Sequence, residues 1–161
     1  MRLDDDVLRL GRTSPFDLLP REAVQLIAFS SEKRRLRAGE ALFFADETAD
    51  SGYFVHSGAI ILIADRAEPK AERRVGAGAL IGEIALYAPT SRRASARAAE
   101  DAVVMRIPRE TFQRVLAEFP AGAETIRAAL AARMRRLVDG LEATRVKSFE
   151  GPLAPRPRAA Q

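Results

Sequence analysis

The chain of 161 residues has no cysteine, no tryptophan and a single histidine, His56. Without cysteine there are no disulfides, thiolate nucleophiles or zinc–thiolate centres, and one imidazole leaves no pair for a metal or a proton relay. No stretch approaches the roughly 18 apolar residues that a membrane-spanning helix needs. The opening Met1-Arg2-Leu3-Asp4-Asp5-Asp6 is acidic where a secretory signal is basic and then apolar. These absences predict a cytoplasmic protein without membrane insertion and remove most familiar catalytic chemistries.

A hydrophobic content of 47% supplies material for a real core, and the length fits one domain. The net charge of +4, from 26 basic and 22 acidic residues, selects no partner by itself. Arg133, Arg135 and Arg136 spread around a helix circumference with no aromatic residues between them, which argues against a nucleic-acid surface.

Along the chain, residues 1–14 read as an N-terminal arm. Ala23, Val24, Leu26, Ile27 and Phe29 follow Pro20 at helical spacing, which predicts a short helix at roughly 20–29. From about 31 to 107 the texture becomes short apolar runs cut by glycine or charged turns. These are Ala41-Leu42-Phe43-Phe44, Tyr53-Phe54-Val55, Ala59-Ile60-Ile61-Leu62-Ile63, Leu80-Ile81 and Val103-Val104-Met105. Closely spaced short strands of this kind predict an antiparallel β-roll or jelly-roll barrel. Gly39 and Gly58 sit between strands where a positive φ is needed. After Pro108 the helical period returns, with Phe112, Val115, Leu116 and Phe119 on one face, and Pro120 starts a second helix reaching about Val146. The fold class is therefore mainly β with flanking α-helices: one N-terminal helix, the roll, and two C-terminal helices over about 109–147. Residues 148–161, rich in proline and arginine, read as a disordered tail.

In the last helix Ile126, Leu130, Met134, Leu137 and Leu141 form a stripe, either the seam of a homodimer or a face packed on the roll.

The chemistry concentrates between Gly82 and Ser95. Arg92 offers two parallel N–H donors matched to a pair of phosphate oxygens. Glu83 accepts hydrogen bonds only, so it suits a sugar hydroxyl and would repel a phosphate. Gly82 permits close approach of the main chain, a turn beginning at Glu83 aims the Ile84 and Ala85 N–H groups at an anion, and Ser95 adds a hydroxyl. Arg93, adjacent to Arg92, is the alternative cation. His56, alone at a strand end, is read as structural.

Leu80-Ile81-Gly82-Glu83-Ile84-Ala85-Leu86 with Arg92-Arg93-Ala94-Ser95-Ala96 resembles the phosphate-binding cassette of the cyclic-nucleotide-binding domains found in cyclic-AMP receptor and Fnr-like sensors. The resemblance covers roughly 15–141, including Pro15-Phe16, Arg37-Ala38-Gly39-Glu40, Gly52-Tyr53-Phe54-Val55-His56-Ser57-Gly58 and Arg109-Glu110-Thr111-Phe112. It implies cAMP or cGMP as ligand, no other cofactor, Glu83 on the ribose 2′-hydroxyl, Arg92 on the cyclic phosphate, and assistance from Ala85 backbone and Ser95. Transcription factors of this kind continue into a helix-turn-helix, which is not expected here, so direct sequence-specific DNA binding is not expected either. The leading expectation is a non-enzymatic sensor coupling ligand to movement of its C-terminal helices and thence to a protein effector. A ligand-free dimerisation module of the same fold is the alternative. A regulator acting through a DNA-binding partner, and a cupin-type metalloenzyme for which one histidine is too few, follow behind.

Overall fold

The computed structural model describes residues 2–64 and 70–149, with side chains described as far as Leu141. Residues 1–124 and 125–161 form two compact units. In the first, helix α1 (Leu3–Leu10) and a 3-10 turn (Phe16–Leu18) precede helix α2 (Arg21–Ser30). Seven strands then lead to the short cassette helix: β1 (Glu32–Leu36), β2 (Ala41–Phe43), β3 (Thr48–Ala49), β4 (Ser51–Ser57), β5 (Ala59–Ala64), β6 (Ala71–Gly76), β7 (Leu80–Ile81) and α3 (Ile84–Tyr87). They are followed by β8 (Thr90–Ser91), β9 (Ser95–Ala98), β10 (Ala102–Pro108) and helix α4 (Arg109–Glu118).

The strands pair antiparallel in the orders β1-β10-β4-β7 and β2-β9-β5-β6, with β3-β8 as a separate pair. This is the mainly β fold with flanking helices that the spacing of apolar runs predicts. Apolar side chains from the two larger sheets fill one core, among them Leu36, Phe43, Tyr53, Val55, Ile60, Ile81 and Val104. Gly39 and Gly58 do take positive φ, 87° and 78°. At Gly58 the Asp101 carbonyl and Ala102 crowd the place of a Cβ, so glycine is required twice over.

Strands β1 and β6 carry Glu32-Lys33-Arg34-Arg35 and Glu72-Arg73-Arg74, and their apolar content is too low to announce a strand. Both lie at sheet edges, where charged side chains keep unpaired backbone from recruiting other chains.

A second apolar layer joins the helices. Phe16 and Tyr87 each meet the buried Phe112 ring edge-on, at centroid separations of 5.9 and 5.7 Å. Within the segment read as an arm, Leu3–Leu10 is helical: Asp4, Asp5 and Asp6 occupy its first turn and Val7 and Leu10 are buried. Asp6 is itself buried. One of its oxygens is 2.6 Å from Lys33 Nζ and the other 3.0 Å from Nε2 of the equally buried His56. Arg9 donates to the His56 carbonyl at 3.0 Å. His56 is thus structural, fastening α1 to β4.

The second unit holds most of helix α5 (Pro120–Phe149), which begins at the proline expected to separate the two C-terminal helices. Along its stripe Ile126 is buried, Leu130 half-buried, and Met134, Leu137 and Leu141 exposed. The proline- and arginine-rich segment from 150 onward lies outside the described residues. No described helix is long and apolar enough to cross a membrane.

Burial, with the Arg9 and Lys33 cations nearby, outweighs Asp6 and holds the His56 imidazole below its ordinary value of 6.5. Between its folded pKa and 6.5 the unfolded chain binds the extra proton, so stability falls as pH drops through that range. Urea midpoints measured at pH 7.5 and 5.5 are expected to fall with acidity, and the His56→Gln variant to lose most of that fall over this range. An unchanged pH dependence in the variant would contradict the assignment.

Candidate functional site

The segment between β7 and β9 builds one wall of a cavity of about 270 Å³, at the small end of ligand pockets. Its lining includes Gly82, Glu83, Ile84, Ala85, Arg92 and Arg93, bringing six of the seven sequence-predicted residues together. Phe43, Ala49, Leu62 and Ile81 make the apolar side, and Thr90, Ser91 and Ala94 complete the rim.

Arg92 is the centre of this arrangement. Its main chain is fixed where the β3-β8 ladder ends: Arg92 N–H donates to Glu47 O at 2.8 Å and Asp46 N–H to Arg92 O at 2.7 Å. The residue is only 7% exposed. Nη2 donates to the Ser51 carbonyl at 2.8 Å and to Ser51 Oγ at 3.3 Å. The guanidinium carbon lies 4.4 Å from the Phe43 ring centroid and 5.3 Å from that of Tyr53, within cation–π range. Burial pushes the guanidinium pKa down from its ordinary value, against the pull of Tyr53, Asp50 and Glu47, but an arginine stays charged in proteins. Among the described residues no carboxylate lies within ion-pair distance of it. Nη1 is buried and has no hydrogen-bond partner. A buried cation with a spare donor is costly unless an anion completes it.

Nη1 points at Gly82. A Cβ on that glycine would come within 2.5 Å of it, and Gly82 has φ of 73°, a conformation that L side chains rarely adopt. Glu83 follows in helical conformation and leads α3; it belongs to the cavity lining, and its Oε1 accepts Tyr87 O–H at 3.0 Å.

Two residues behave differently from the sequence reading. Ala85 N–H, expected to face an anion, donates to Gly82 O at 3.1 Å in the tight turn that opens α3. Ser95 is not among the lining residues; its Oγ accepts Ala45 N–H at 2.9 Å and ties β9 to the loop after β2. Arg93, beside Arg92, is exposed at the cavity rim, so the two arginines divide into a buried anchor and a solvated neighbour. Ser51, Phe43 and Tyr53 were not legible as site residues: their roles depend on strands β2 and β4 arriving beneath Arg92, and no motif in the sequence records that.

Among the described residues no group of three His, Asp or Glu side chains is arranged to hold a metal ion. The arrangement can bind: it combines a fixed cation, a carboxylate a few residues away and an apolar flank.

The cyclic nucleotide-binding domain matches residues 33–119, and the chain belongs to that family. A cyclic nucleotide-binding-like protein from Brucella abortus is 39% identical with a TM-score of 0.64, covering 71% of this chain and 99% of that one. The N-terminal domain of a transcriptional regulator from Streptomyces coelicolor is 28% identical with a TM-score of 0.73, covering 84% and 95%. Among curated proteins, an uncharacterised NTE family protein of Mycobacterium tuberculosis is 35% identical over 115 residues, which are 71% of this chain. This chain spans 19% of that relative's length, and 8% of a 30% identical lysophospholipase from Chaetomium globosum.

Gly82→Ala is expected to destabilise the fold by about 1–2 kcal/mol through its left-handed backbone alone, and to drive Arg92 off Ser51. Chemical denaturation checks this, and a curve superposable on the wild type would contradict the close approach.

Proposed function

We propose that this chain is a receptor domain for a cyclic mononucleotide, cAMP or cGMP, and performs no catalysis of its own. The observation that carries the reading is the buried Arg92 guanidinium, which has an unpaired donor beside a glycine and sits in one cavity with Glu83. A cyclic phosphodiester supplies the missing charge, Glu83 receives the ribose 2′-hydroxyl, and the purine lies against Leu62 and the other apolar residues. Arg93 adds a long-range cation at the rim. Ile84 and the α3 turn border the phosphate end, while Ser95 holds the loop that frames it.

Occupancy acts by favouring one arrangement of the C-terminal helices over another, which requires different affinities for the two. Arg109, at the start of α4, supports this reading: its Nε donates to Ala85 O at 2.7 Å and its Nη2 to Ala49 O at 2.5 Å, so α4 grips both cassette and cavity wall. The output is a protein effector in the cytoplasm. The small share that this chain spans of its curated relatives fits a regulatory segment serving a larger machine.

A second reading concerns assembly. Met134, Leu137 and Leu141 are 67%, 65% and 70% exposed at helical spacing, which favours a homodimer through 126–141.

Isothermal titration with cAMP and with cGMP tests the receptor. Arg92→Ala is expected to cost about 2–5 kcal/mol of affinity, the scale for leaving a buried charge pair broken. Equal binding by wild type and variant would remove Arg92 from the site, and no binding of either nucleotide would favour the ligand-free module. In sedimentation, Leu137→Glu is expected to convert dimer to monomer; a wild type monomeric at every concentration rejects the seam.

A further inference from the structure

Tyr87 stands at the last residue of α3, one helical turn after Glu83, and the sequence motif gives it no role. Its hydroxyl donates to Glu83 Oε1 at 3.0 Å. Its ring packs edge-on against Phe112 of α4, with centroids 5.7 Å apart and planes at 76°, and Phe112 also packs edge-on with Phe16. Gln113 Nε2 donates to the Tyr87 carbonyl at 3.3 Å. The side chain therefore has little freedom, and neither has the carboxylate oxygen it grips.

A free glutamate side chain samples several rotamers, and fixing them at the moment of binding costs affinity. A carboxylate accepts at about four lone-pair positions, so the Tyr87 hydroxyl on Oε1 orients the group without using up its capacity to accept. We infer that Tyr87 is a positioning residue for nucleotide recognition: it holds the Glu83 carboxylate in the orientation that receives the ribose 2′-hydroxyl, and anchors that orientation to α4. The inference rests on the receptor reading above and deepens it. It also gives the sugar contact a physical connection to α4, because Tyr87, which donates to Glu83, also rests on Phe112.

The test exploits the ligand. The full chain and its Tyr87→Phe variant, which keeps the ring on Phe112, are titrated calorimetrically with cAMP, cGMP and their 2′-deoxy analogues. The wild type is expected to prefer the ribonucleotide to its deoxy form. Tyr87→Phe is expected to bind the ribonucleotide about tenfold more weakly, the effect of losing a hydrogen bond to a charged group, and to bind the deoxy form as the wild type does. In a Glu83→Gln background the same substitution is expected to have little further effect, because the oriented carboxylate is already gone. Equal losses for ribo and deoxy forms, or no loss for either, overturn the inference while leaving the receptor intact. The same holds for a Tyr87→Phe loss undiminished in the Glu83→Gln background. A wild type that binds none of the four overturns the receptor reading itself, and this inference with it.

Discussion

A buried positive charge with no carboxylate at ion-pair distance among the described residues is the constraint on which the site depends. Taking the Arg92 guanidinium out of water is unfavourable, and the protein offsets it only in part, with the Ser51 carbonyl and hydroxyl and the faces of Phe43 and Tyr53. The Nη1 amino group remains over. What the fold leaves unsatisfied there is the basis of the receptor proposal, in which an anion compact enough to enter beside Gly82 completes the site.

Most of the surrounding architecture can be understood as support for that charge. Strands β2 and β4 bring the aromatic faces and Ser51 beneath it, the β3-β8 pair fixes its backbone, and the left-handed Gly82 makes room above it. The helical layer then connects this wall to α4 through Arg109, Tyr87 and Phe112. An anion arriving at Arg92 thus meets a wall that is already continuous with the first C-terminal helix.

The roll was legible because its central strands are apolar: Tyr53-Phe54-Val55 and Ile60-Ile61-Leu62 have few other ways to bury themselves. The edge strands β1 and β6 were not, since both faces of each meet solvent over most of their length and their charged residues resemble turns. Helix α1 escaped for a related reason. Its apolar residues Val7 and Leu10 are few, and its attachment depends on Asp6 reaching Lys33 and His56, nearly 30 and 50 residues away. Within the cassette, order and charge singled out Gly82, Glu83 and Arg92 as candidates, but could not show that Ser95 lies outside the cavity lining with its Oγ accepting Ala45 N–H, or that Ala85 N–H is engaged with Gly82.

By itself, then, the sequence determined which donors, acceptors and charges the cassette offers and the class of fold. Side-chain type sets donor geometry and charge sign, and apolar periodicity sets which faces are buried, and both are local properties. Only the tertiary structure decided which of two adjacent arginines is buried, what holds it there, and that Tyr87 joins Glu83 to α4. Those outcomes depend on partners distant along the chain, brought together by strand pairing and helix packing that local chemistry does not encode.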